Sequence, residues 1–164
     1  MSLPCSELPA SIAAQPRHNI PTSPTAFVGR EAELTQLAAQ LAQPDVRLLT
    51  IVGFGGIGKT RLALAMAARI VDDFADGVWF VSLVGIDATA SQNALNPLVM
   101  GLANVLSVVF LGQEEPEQQL LNYLHDKEML IVFDNVEHLL SLSDFFSRLL
   151  SRCHMNRVNC QYIP

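Results

Sequence analysis

Apolar residues recur along this chain with two different periods. Leu34, Leu37, Ala38 and Leu41 fall at i, i+3, i+4 and i+7, which predicts an amphipathic helix over about 30–43, ended by Pro44-Asp45. The run from Arg47 to Gly53 is short, continuous and rich in β-formers, the pattern of a strand buried on both faces of a parallel sheet. Residues from Lys59 to about Val71 are Ala/Leu-rich and apolar almost all round, so a helix packed on that sheet is expected. Val78 to Val84 reads as a second strand, and about 92–110 as a helix with Pro97 near its first turn. Glu114-Glu-Pro-Glu117 places acids and a proline where a helix should begin, and that helix runs to about Asp126 with Leu120, Leu121 and Leu124 inward. Met129 to Asp134 is a third apolar strand, ending in a carboxylate. A last helix over about 137–151 carries Leu139, Leu142, Phe146, Leu149 and Leu150 on one face. This alternation predicts an α/β architecture with a parallel sheet.

Both ends depart from the pattern. Residues 1–25 hold five of the nine prolines and little periodicity, the composition of a flexible tail or linker. Residues 157–164 lie where another strand would fit, but Arg157-Val-Asn-Cys-Gln-Tyr-Ile-Pro164 is largely polar and reads as a degenerate or truncated strand.

Composition narrows the classes. Half of the 164 residues are hydrophobic and 16% are charged, enough to bury a core and too apolar for wholesale disorder. The net charge of −6 argues against direct nucleic-acid binding through a basic surface. No apolar run reaches the ~18 residues of a membrane span, and the N-terminus lacks the basic start and apolar core of a signal peptide. Three cysteines, an odd number without metal-site spacing, fit free thiols in a reducing cytoplasm.

The chemistry concentrates between the first strand and the helix that follows. Gly53-Phe-Gly-Gly-Ile-Gly-Lys-Thr60 matches G-x-x-x-x-G-K-[ST], the phosphate-binding P-loop. Gly53, Gly55, Gly56 and Gly58, with Ile57 between, let backbone N–H groups turn inward as an anion nest. The helix N-terminus adds its positive end. Lys59 can reach the β- and γ-phosphates, and the Thr60 hydroxyl can hold Mg²⁺. Asp134, at the carboxyl end of a buried strand, is positioned as the Walker-B acid and second metal residue. The same loop contains G-x-G-x-x-G, but the second strand ends Ser82-Leu-Val84 without the ribose-binding acid of a dinucleotide site.

Four blocks in order carry a further likeness: Phe27-Val-Gly-Arg-Glu31; the P-loop extended by Arg61-Leu-Ala63; Val78-Trp-Phe-Val81; and Val132-Phe-Asp-Asn-Val-Glu-His-Leu139. Together they resemble the STAND/NB-ARC class of P-loop ATPases, especially the ATPase module of AfsR- and LuxR-like bacterial transcriptional regulators. The resemblance covers about 20–155 and implies a three-layer P-loop NTPase domain over 26–156. It implies a regulatory switch that holds ADP at rest and exchanges it for ATP. It also implies Val28, Gly29 and Arg30 near the adenine and ribose, Arg61 within the nucleotide-binding block, and ATP rather than GTP as ligand. Self-association or further domains of a larger regulator are the expected partners. That class continues with an apolar strand ending in a sensor arginine, which 157–164 lacks, so an incomplete sheet with exposed edges is expected. Asn135 stands where many relatives carry a catalytic acid, so Asp134 and Asn135 would support at most a slow ATPase.

Two alternatives compete. A P-loop kinase or transferase needs a lid rich in Arg and Lys. Downstream of Arg69 the chain offers only Lys127, Arg148, Arg152 and Arg157. A scaffold fragment without nucleotide binding is the other.

Overall fold

A computed structural model describes residues 18–86, 95–136 and 142–152, and the backbone of 157–162. The elements are α1 (Glu31–Leu41), β1 (Leu48–Val52), α2 (Lys59–Arg69), a short 3-10 turn (Val71–Asp73), β2 (Val78–Ser82), α3 (Leu95–Val105), α4 (Pro116–Leu124), β3 (Leu130–Asp134), α5 (Ser143–Arg152) and β4 (Arg157–Tyr162). All strand pairings are parallel, in the order β1-β4-β3-β2. This is the α/β P-loop arrangement expected from the alternation.

Alternation along the strands builds two cores. Ile51, Val78, Leu130 and Val132 face Leu34 and Leu41 of α1 and Leu62, Ala63 and Met66 of α2. Val81, Ile131 and Phe133 face Leu98 and Leu102 of α3, Leu120 and Leu124 of α4, and Phe145 and Leu149 of α5. Helices thus cover both faces, giving three layers. β3 is buried along Leu130–Phe133, which accounts for its uninterrupted apolar run.

The polar run at 157–162 pairs on both sides: Val158 sits opposite Leu48 of β1 and Ile131 of β3. In the sheet expected to be incomplete, the position between β1 and β3 is therefore filled. Backbone N–H and C=O groups make a ladder without regard to side-chain polarity, so an apolarity pattern underrates such a segment. Residues 18–25, within the stretch read as a flexible linker, are tied to the domain at both ends, as described below.

The third predicted helix stops earlier than its apolar pattern. Ser107 adopts φ 56, Val108 N–H bonds the Ala103 carbonyl at 2.8 Å and Ser107 N–H bonds that of Asn104 at 3.2 Å. These two bonds are a Schellman cap, with serine in the left-handed position usually held by glycine. The apolar residues beyond it, Val109 and Leu111, are exposed. In α4, Pro116 occupies the first turn, as the acids-plus-proline signal predicts. Leu139, His138 and Glu137 lie outside the described residues.

At the end of the sheet away from the P-loop, Asp76 accepts from Lys127 Nζ at 2.9 Å and from the Glu128 N–H at 2.8 Å. Partial burial opposes ionisation of Asp76, but these two donors outweigh it and hold its carboxyl below the usual range. The bond to Asp76 likewise raises the Lys127 ammonium above its ordinary value, against a smaller desolvation effect.

Candidate nucleotide site

The loop from Gly53 to Gly58 joins β1 to α2 at the carboxyl edge of the sheet. Gly56 and Gly58 have φ +79 and +86, values that strain any L side chain. At Gly53 a Cβ would meet Ile57 Cδ1 at 2.5 Å, the tip of an exposed side chain that can swing aside. Gly55 meets neither restriction, so its place in the motif has no steric cause in this conformation.

Lys59, the first residue of α2, is buried at 6% exposure. Its ammonium donates to the Gly53 carbonyl at 2.5 Å and the Phe54 carbonyl at 2.8 Å, folding the side chain back under the loop. Thr60 Oγ1 donates to Asp134 Oδ1 at 3.1 Å, joining the P-loop helix to the end of β3. The Leu83 N–H bonds the Asp134 carbonyl at 3.1 Å, so β2 fixes the backbone that presents the carboxylate. The next residue, Asn135, has φ 65, and that left-handed turn ends the strand.

Gly56, Gly58, Lys59, Thr60, Arg61, Asp134 and Asn135 line a hollow of about 260 Å³. Two segments separated by some seventy residues of sequence therefore converge on one space, as the P-loop and Walker-B reading expects. Gly53, Gly55 and Ile57 shape the loop rather than line the hollow. Among the described residues the helix N-terminus, the Lys59 ammonium and the Arg61 guanidinium meet one carboxylate there, a balance that suits an anion.

The Phe27–Glu31 block reaches the loop through one residue. Arg30 has φ 60 and precedes α1; its Nη1 donates to the Ile57 carbonyl at 3.2 Å and its Nε pairs with Glu33 at 3.1 Å. The Glu33 carboxyl is held below its usual range by its own backbone N–H and by Arg30. Val28 is 86% exposed and Gly29 has φ +82; neither lines the hollow. Arg61 lines the hollow, yet its Nη2 donates to the Thr25 carbonyl, Thr25 Oγ1 and the Ala26 carbonyl at 3.2, 3.0 and 3.1 Å. These partners had no signal in the sequence, since no periodicity marks a contact between a loop carbonyl and a distant guanidinium.

With this geometry, comparison with known proteins is specific. A family model described as an AAA ATPase domain matches residues 26–158, and the chain belongs to that family. Its P-loop thus sits in an AAA-type ATPase domain. The uncharacterized protein Rv0894 of Mycobacterium tuberculosis is 34% identical over 132 residues, covering 79% of this chain and 31% of that protein. The regulatory protein AfsR of Streptomyces griseus is 29% identical over 121 residues, 71% of this chain and 12% of AfsR. Among solved structures, the Walker-type ATPase PABY2304 of Pyrococcus abyssi shares the fold, with a TM-score of 0.59 at 15% identity over 82% of this chain and 45% of that one. The chain thus spans about a third or less of the length of these two curated relatives. Among the described residues, no helix is long and apolar enough to cross a membrane.

Proposed function

We propose that this domain binds ATP and ADP with Mg²⁺ and works as a cytoplasmic switch of the STAND/NB-ARC kind within a larger regulator. The observation that carries the reading is the hollow that Gly56, Gly58, Lys59 and Thr60 share with Asp134 and Asn135, bridged by the Thr60–Asp134 bond. Similarity to AfsR supports the regulatory setting.

A hydroxyl and a carboxylate oxygen 3.1 Å apart form a hard, all-oxygen pair suited to Mg²⁺. When bound with nucleotide, the ion would neutralise phosphate charge. Lys59 exchanges its loop carbonyls for phosphate oxygens, and the backbone N–H groups at the start of α2 take the remaining ones. Asn135 lines the same hollow but cannot accept a proton as a base, so the domain holds nucleotide better than it hydrolyses it.

Titration calorimetry with ATP and ADP, each with and without Mg²⁺, tests this. Mg²⁺ should tighten ATP binding in the wild type, and Asp134→Asn should remove most of that gain. Binding indifferent to Mg²⁺ would refute the metal role, and no binding of either nucleotide would leave the scaffold reading.

A further inference from the structure

Residues 18–27 form a clasp running from the edge of the sheet to the P-loop helix. At one end His18 makes a parallel bridge with Val78. There the Asn19 carboxamide imitates a strand: its Oδ1 accepts from the Phe80 N–H at 2.6 Å, and its Nδ2 donates to the Phe80 carbonyl at 2.8 Å. At the other end the Arg61 guanidinium holds Thr25 and Ala26. Between these anchors the clasp roofs a cavity of about 470 Å³ over α2, walled by Ile20, Phe27, Leu64 and Ala68 among others. Ile20 and Phe27 pack against the core over α2, but residues 21–26 between them are exposed, and exposed segments held by polar anchors open locally.

Arg61 belongs to both places, since it lines the P-loop hollow as well as that cavity. Its acceptors on the clasp are neutral oxygens. A phosphate oxygen is an ionised acceptor, whose bonds are roughly twice as strong, and its geometry matches the guanidinium fork. We propose that the polyphosphate of a bound nucleotide draws Arg61 away from Thr25 and Ala26 and frees the clasp from the β2 edge. The clasp is then the device that converts occupancy of the P-loop into exposure of a strand edge on the far side of α2. This rests on the nucleotide-binding reading above.

The Phe80 N–H reports the state of the clasp, because its partner is Asn19. Amide hydrogen exchange at Phe80 is measured on the full chain, alone and saturated with ADP–Mg²⁺ or ATP–Mg²⁺, with saturation verified by calorimetry. Asn19→Ala supplies the open reference. Nucleotide should speed exchange about tenfold or more toward that reference, the scale of losing bonds to a charged group. Arg61→Ala should do the same without nucleotide. Unchanged or slower exchange in a protein with measured binding heat overturns the clasp alone. A clasp still closed in Arg61→Ala overturns it as well. Absence of binding heat overturns the nucleotide reading, and nucleotide-driven release with it.

Discussion

Replacing Lys59 by methionine keeps the aliphatic stem under the loop and deletes only the ammonium. Two quantities then separate. A hydrogen bond to a charged group contributes about 1.5–3 kcal/mol, so triphosphate affinity should fall by about 10- to 150-fold. Fold stability should move far less. The ammonium loses its bonds to the Gly53 and Phe54 carbonyls, but Gly53 is half-buried and Phe54 exposed, so water can replace it. The desolvation cost of a nearly buried charge disappears at the same time. The net loss should be about 1 kcal/mol or less, or roughly 2–4 °C in Tm for a domain of this size. Calorimetric titration with ATP–Mg²⁺ and a thermal melt of the same preparation measure both. Unchanged affinity with a normal melt would refute the phosphate role. A fall in Tm of more than about 10 °C would show that Lys59 acts chiefly as a strut for the loop, since loss of its bonds alone does not reach that size.

Asp76→Asn tests the Lys127 pair through pH. The Asp76 carboxyl titrates lower in the folded chain than in the unfolded one, so its contribution is complete above an unfolded pKa of about 3.9 and is lost as pH falls through the folded value. Urea melts from pH 7 to pH 2 should show the wild type losing about 0.5–1 kcal/mol more than the variant below pH ~4, and parallel curves would remove the pair from the stability balance. Single-turnover ATP hydrolysis by the wild type should run below about one per minute, as in unassisted GTPases, and Asn135→Asp should raise it. Turnover of several per second that Lys59→Met abolishes would contradict the slow-switch reading.

Strands β1, β2 and β3 were legible in the sequence to within two residues from their short apolar runs; burial on both faces accounts for β3, whereas β1, expected to be buried on both faces, is exposed at Leu48, Thr50 and Val52. The P-loop was legible because its glycines, lysine and threonine are required by backbone geometry and charge. The placement of Asp134 beside the loop was legible because the apolar run that it ends follows a P-loop in an alternating α/β order; a carboxylate at a strand end is common by itself. The end of α3 was not, since the Ser107 turn lies inside an apolar run that continues past the helix. Nor was β4, whose place between β1 and β3 comes from backbone pairing to two distant strands. Asn19 illustrates a third kind of silence. An asparagine in a proline-rich stretch reads as turn material, and only the folded chain brings it to Phe80.

The two margins of the sheet are unequal. β2 carries the Asn19 carboxamide on its outer backbone, whereas among the described residues β1 pairs with β4 alone and leaves Leu48 and Val52 exposed at 45% and 57%. A strand added at β1 displaces none of the described residues, whereas one added at β2 must first break both Asn19 bonds, so pairing costs differ at the two margins for as long as the clasp is closed.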